Sequence, residues 1–257
     1  DPIDNANFFN GALDEVALFD VALNATQIAA LYALQSVAPT VPPGKVASYS
    51  FNGTGADNSA FGNHADILSA GSTTDRFGYG NSALLLDGAT SEVSAPNAAQ
   101  LNSGTTTVSF WVKVNAAPGN GEAFLLSSGG WQERWKISLP THLKPVWTTN
   151  SVAGISDMDA GGGNELPIGK WTHVVMSHDG TKDKIFINGV LAAEKVVSTD
   201  LNSTTKPLGI GYNPIDGGNW LDGAIDEVEI YNYALADAAI SALYTAQSTF
   251  PGTAADL

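Results

Sequence analysis

The chain has 257 residues, 44% of them hydrophobic, enough for one large β domain or two smaller ones. Only 14% are charged, and a net charge of −15 without any basic run excludes binding to DNA, RNA or anionic lipid, whose phosphates need Lys and Arg clusters. With no cysteine there is no disulfide frame, thiolate nucleophile or cysteine-held zinc, and no apolar run reaches the roughly 18 residues of a bilayer span.

Residues 1–36 read as a loop, a strand and a helix, and the same sentence returns near the other end of the chain. DPIDNANFFNGALDEV lies without a gap over NPIDGGNWLDGAIDEV, and ALNATQIAALYALQS over ALADAAISALYTAQS, at an offset of 212 residues. Pairs such as Asp14/Asp226, Glu15/Glu227, Ile28/Ile240 and Gln35/Gln247 are identical. An ungapped match across three elements is the mark of a repeated unit. Only the tail of the unit occurs twice, so residues 1–36 are expected to be the C-terminal fragment of a preceding repeat. Asn24 is placed to cap its helix. The start at Asp1, with no signal peptide, is expected of a processed piece of something longer.

Residues 37–45, VAPTVPPGK, read as a proline-rich, semi-rigid spacer. A complete domain follows from 46 to 248, with 249–257 as a tail or the start of a next linker. KVASYSF, Lys45 to Phe51, reads as the first strand, and Asn52 to Asp66 as a turn-rich loop. ALLLDG and EVSAP are strands about a glycine turn. In TTVSFWVKV, Val108, Phe110, Val112 and Val114 alternate with polar residues, which predicts a strong strand. EAFLLSS, WKISL and KPVWTT are shorter strands. KWTHVVMSHDG and KDKIFING form a hairpin, with turns at Asp179–Gly180 and Asn188–Gly189. LGIGYN and GAIDEVEIYN close the set, and SDMDAGGGNE reads as a loop. Ala236 to Gln247 is the one convincing helix, with Ile240, Leu243 and Tyr244 on one narrow face. Many strands, one short C-terminal helix and no βαβ rhythm predict an all-β sandwich of two antiparallel sheets.

The ordered series FNGTGADNSAFGNHAD, ALLLDG, SFWVKV, GKWTHVV, IFINGVL and GAIDEVEIYNYALADAAISALY resembles the laminin G-like, concanavalin A-like domains of bacterial secreted proteins. The resemblance covers about Lys45 to Ser248. It implies a jelly-roll β-sandwich, often with one structural calcium, in an extracellular or cell-surface protein. That superfamily holds lectins, carbohydrate-binding modules, adhesion domains and glucanases, so the fold alone does not settle the function.

Calcium takes oxygen ligands, and the first loop offers Asn52, Asp57, Asn58, Asn63 and the carbonyl of His64. In GAIDEVEIY a bulge at Asp226–Glu227 would restore the alternation of Ile225, Val228 and Ile230. Asp226 would then turn toward that loop, where the resemblance places calcium. The expected set is Asn52, Asp57, His64 and Asp226, holding a structural Ca2+. The alternative is that Asp57 and Asp226 only cap turns.

Six tryptophans are many for so uncharged a chain. Trp111 and Trp171 sit in strand patterns that suit packing. Trp131, Gln132, Arg134, His142 and Trp147 would form a stacking platform with polar neighbours for a polysaccharide or other glycan. The alternative for Trp135 and Trp147 is an ordinary core position. Paired carboxylates for glycoside hydrolysis are not evident, because Asp226-Glu227-Val228-Glu229 does not match the Glu-x-Asp-x-x-Glu strand of glucanases of this fold. Zinc-protease, nucleophile-elbow and phosphate-loop motifs are absent. His173 and His178 lie five apart on one strand and should face opposite sides. The sequence therefore predicts a calcium-stabilised, non-catalytic glycan-binding module. An adhesion or spacer repeat that contacts proteins is the competing class, with self-association through residues 1–36.

Overall fold

The computed structural model describes residues 18–19, 21–28, 42–119 and 121–249. Two antiparallel sheets face each other across one apolar core. The first sheet runs in the order β13 (Val190–Val196), β12 (Lys182–Ile187), β11 (Trp171–His178), β6 (Thr106–Val114), β15 (Asp222–Tyr231), β4 (Ala83–Asp87) and β3 (Gly71–Thr73). A further strand, β1 (Lys45–Tyr49), also pairs with β15. The second sheet runs β10 (Gly154–Asp159), β9 (Val146–Ser151), β8 (Trp135–Pro140), β7 (Glu122–Ser128), β14 (Leu208–Ile210), β5 (Glu92–Ala95) and β2 (Asp66–Leu68). This is the jelly-roll sandwich that the strand pattern predicts.

Alternation puts two chemistries on each strand. On β6, Val108, Phe110, Val112 and Val114 enter the inter-sheet core. Thr107, Ser109 and Trp111 point the other way, toward the C-terminal helix Asp237–Ser248. Strand β15 is the spine of that sheet. Its first half pairs with β4 and its second half with β1, while β6 runs along its other edge. The expected bulge is present: the register against β6 slips between Asp226 and Glu229, and Glu227 has φ 47°. Ile225, Val228 and Ile230 therefore all reach the core.

The outer face of this sheet carries a second, smaller core. Ile240 and Leu243 of the helix pack on Val175, Phe186, Tyr231 and Leu235. His173 lies under the helix in contact with Trp111 and Tyr244, whereas His178 faces inward to Asp183, as the strand period requires.

Several expectations are corrected. SDMD is not loop but most of edge strand β10, whose Met158 sits opposite Trp147 and packs inward while Asp157 turns outward to Thr148. The long first loop leads into β2 and β3, both only three residues long. Strand β1 opens at Lys45, as the KVASYSF reading has it, so the spacer stops one residue short of 45. A helical turn at Gly130–Glu133 and a 3-10 turn at Ala99–Asn102 join the C-terminal helix.

Most of the upstream fragment, the spacer to residue 41 and the tail beyond 249 lie outside the described residues. Its helix start does not. Asn24 Oδ1 accepts from Gln27 N–H and Gln27 Oε1 accepts from Asn24 N–H, both at 3.0 Å, a reciprocal cap over the helical residues 25–28. Ile28 is 55% exposed, while its counterpart Ile240 is fully buried at 0%. The same residue type thus contributes to packing in one copy only. Ile240→Ala should cost about 2–5 kcal/mol in urea unfolding, and Ile28→Ala no more than about 0.5 kcal/mol.

Candidate functional site

The first loop is built around Asp57, but not as a cation site. Asp57 Oδ1 accepts from Ser48 N–H and Ser59 N–H, and Oδ2 from Ser59 Oγ–H and Asn63 N–H, each at 2.8 Å. His64 Nδ1 accepts from Asp57 N–H at 3.0 Å, and Asn63 Nδ2 donates to the Pro96 carbonyl at 2.8 Å. Asn58 donates to Ser50 Oγ, and Asn52 stands exposed. The carboxylate is thus consumed in shaping its own turn.

Asp226 faces elsewhere. Its Oδ2 accepts from Arg76 Nη1 at 2.9 Å and its Oδ1 from Glu227 N–H at 2.8 Å. Burial pushes the Asp226 carboxyl up to about 7 and the Glu227 charge adds to this, while Arg76 draws it partly back. Arg76 also donates from Nε to the Gln247 carbonyl at 2.7 Å and lies over the Trp111 ring. The bulge re-aims Asp226 as expected, but toward the helix side, not the first loop. The donor set of Asn52, Asp57, His64 and Asp226 therefore does not fit a calcium ion. Among the described residues no other group of three acidic or histidine side chains could hold a metal.

The aromatic platform divides in the same way. Trp147 is 0% exposed, stacks at 5.5 Å on buried Trp135, and donates from Nε1 to Asp183 Oδ1 at 3.1 Å. Arg134 is also fully buried. It donates to the carbonyls of Asn202 at 2.5 Å and Ser103 at 2.6 Å, and burial pulls its guanidinium down to about 10. Both residues are structural: alternation on β9 turns Trp147 into the core, and Arg134, at the end of the helical turn, is held by two backbone carbonyls. His142 is exposed, but it lies beyond the far end of β8 from Trp131. The six residues of that strand keep the two about 20 Å apart.

Trp131 and Gln132 remain on the surface. Trp131 is 43% exposed on the helical turn Gly130–Glu133. Asn150 Nδ2 clamps the turn by donating to the Trp131 carbonyl at 3.2 Å and the Gln132 carbonyl at 2.6 Å. Glu133 accepts from Thr204 Oγ–H on the other side. Gly129, at φ 71°, has no room for a side chain, since a Cβ would stand 2.6 Å from Thr204 Oγ1. The turn is held rigidly while its indole stays in water. Asn150 and Thr204, which do the holding, carry no signal in the sequence. Trp220 lies at the opposite end of β7, against a cavity.

Among the described residues no pair of carboxylates on the outer face of the first sheet is free for acid–base work. Asp226 is spent on Arg76, and Glu229 on Lys45 Nζ at 2.8 Å and the Tyr231 hydroxyl at 2.6 Å. Burial and the Glu229 charge push the Tyr231 phenol far above its usual range.

A family model described as the concanavalin A-like lectin/glucanases superfamily matches residues 87–241. Domain 4 of AbnA, a GH43 extracellular arabinanase from Geobacillus stearothermophilus solved with arabinotriose, is 24% identical, with a TM-score of 0.62 over 78% of this chain and 98% of that domain. The binding domain of Paraclostridial Mosquitocidal Protein 1 is 18% identical, with a TM-score of 0.63 over 75% of this chain and 49% of that one. The botulinum neurotoxin serotype G binding domain is 20% identical, with a TM-score of 0.63 over 80% and 51%. The chain thus spans about half of the toxin binding domains, and at these identities the likeness is one of fold. No curated protein matches the chain in sequence.

Because Asp57 is already fully hydrogen-bonded and Asp226 is paired with Arg76, excess chelator should leave the melting temperature within about 1 °C of its value in calcium, under the roughly 2–4 °C that follows from losing 1 kcal/mol in a domain of this size. Differential scanning calorimetry in the two buffers checks this.

Proposed function

The chain belongs to the concanavalin A-like lectin/glucanases superfamily, and on that footing we propose that it is a non-catalytic carbohydrate-binding module of a secreted or cell-surface protein. The observation that carries the reading is Trp131: an indole left 43% exposed on a turn that Asn150 and Thr204 fasten from both sides. A tryptophan needed only for packing is buried, as Trp135 and Trp147 are. A fixed exposed aromatic face, with Gln132 next to it in the chain and also exposed, suits a sugar, whose C–H face stacks and whose hydroxyls hydrogen-bond. The setting of the structural relatives supports an extracellular place, one of them being a domain of an extracellular arabinanase. Among the described residues no helix is long and apolar enough to cross a membrane. The committed carboxylates described above support a role in binding, not hydrolysis.

The reading includes a tandem arrangement with self-association through residues 1–36. Leu18, Val21 and Ile28 are 97%, 64% and 55% exposed, an apolar surface in want of cover. Gel filtration across a range of concentrations should show the full chain shifting to larger size, while a chain beginning at Val46 stays monomeric; identical profiles would remove self-association from the reading.

Affinity gel electrophoresis against a panel of polysaccharides, arabinan among them, tests the module itself. At least one glycan should retard the protein, and Trp131→Ala should weaken that retardation about tenfold with its melting temperature retained. If no glycan retards the folded protein, the spacer or adhesion reading takes its place.

A further inference from the structure

A second place in the molecule has the make-up of a sugar pocket. At the end of β7 opposite Trp131, a cavity of about 350 Å³ opens between the β4–β5, β6–β7 and β14–β15 loops. That volume is at the lower end of ligand pockets, about 300–1,000 Å³, and suits a ligand the size of a mono- or disaccharide. Trp220 forms part of its wall, together with Pro118, Asp87, Glu122 and Asp222.

The walls are fixed before any ligand arrives. Gly88 N–H donates to the Leu221 carbonyl at 3.1 Å, Asn115 N–H to the Asp222 carbonyl at 2.9 Å, and Asn219 Nδ2 to the Glu122 carbonyl at 2.9 Å. Gly88, at φ 72°, passes so near that a Cβ would stand 2.8 Å from the Asp222 Cβ. Three loops are therefore stitched into one rim, which lowers the ordering cost of binding.

The chemistry of the lining is selective. Asp87 is consumed by its own turn: Thr90 first, then the backbone N–H groups of Ala89 and Ser91, hold its carboxyl well below its usual range. Asp222 uses Oδ1 for the Asn115 amide at 3.1 Å, and Glu122 uses Oε1 for Lys136. The second oxygen of each has no hydrogen bond among the described residues. The indole nitrogen of Trp220 is buried with no hydrogen-bond partner among the described residues, so what the ring shows the cavity is carbon. An unpaired buried N–H is costly, about 1–3 kcal/mol, and such an exception calls for a reason beyond packing.

We propose that this rim pocket binds an uncharged sugar unit, with the ring lying against Trp220 and its hydroxyls donating to Asp222 Oδ2 and Glu122 Oε2. The pocket offers acceptors and a carbon face, which is what a polyol needs. Among the described residues no Lys or Arg lines it, and three carboxylates repel a uronate, sialate or phosphate. The seven residues of β7 separate it from Trp131 by about 20 Å, so one polysaccharide chain touching both would gain from two weak contacts. The proposal rests on the glycan-binding reading but on different residues, so the two can fail separately.

The test is affinity electrophoresis of the full chain in neutral polysaccharide gels and in polyuronate gels, without calcium. It uses the wild type, Trp220→Ala, Asp222→Asn and Trp131→Ala, each with its melting temperature. Trp220→Ala and Asp222→Asn should each bind neutral glycan about tenfold more weakly. Asp222→Asn keeps the shape of the pocket and so guards against a folding defect in Trp220→Ala. Normal retardation of both pocket variants, with Trp131→Ala impaired, would overturn the pocket and leave the module reading standing. Polyuronate binding as strong as neutral binding would also overturn it. A wild type that no glycan retards would remove both.

Discussion

The helix side of this molecule is organised by one guanidinium. Arg76 binds the Asp226 carboxylate, the Gln247 carbonyl and the faces of Phe77 and Trp111. Its side chain is only 10% exposed, where an unpaired charge would be strongly destabilising. The bulge of β15 supplies the partner, and the last turn of the C-terminal helix supplies the cover. A planar, forked cation can serve all of these at once, which a lysine could not.

That arrangement explains why the sandwich needs a helix. A strand with one face in the main core leaves the other face to be sheltered, and β6, β11 and β15 carry Trp111, His173, Ser109 and Glu229 there. Tyr244 stacks on Trp111 at 5.9 Å and Gln247 accepts from its indole N–H at 2.9 Å. Burial and the nearby Arg76 pull the His173 imidazole down to about 3, so it packs as a neutral ring. The residues to which the proposed glycan role falls lie away from this layer, at the ends of the other sheet and in the loops, where polar groups can meet water without disturbing it.

On that other sheet a buried network fixes which aromatics remain available. Asp183 accepts from Trp147 Nε1, Thr149 Oγ and the His178 ring. It crosses from β12 to β9 and so ties the two sheets together through the core. Trp147 is thereby a structural tie, and the proposed surface role falls to Trp131 at one end of β7 and Trp220 at the other.

The sequence by itself determined the sandwich, the strand limits of β6 and, to within one residue, of β15, the bulge, the helix and its buried face. Each of these follows from local alternation or from helix period, which a short window of residues carries. The matching of residues 1–36 to residues 213–248 was likewise legible as text. Tertiary structure alone decided where the carboxylates and indoles point. Asp226 reads in sequence as a loop ligand or a turn cap, and its partner Arg76 is not foreseen there, because 150 residues lie between the two and nothing local links them. Trp131 and Trp147 look alike in sequence, and only the packing of β8 and β9 exposes one and encloses the other. The rim pocket joins three loops that are far apart in the chain, so no window of the sequence contains it.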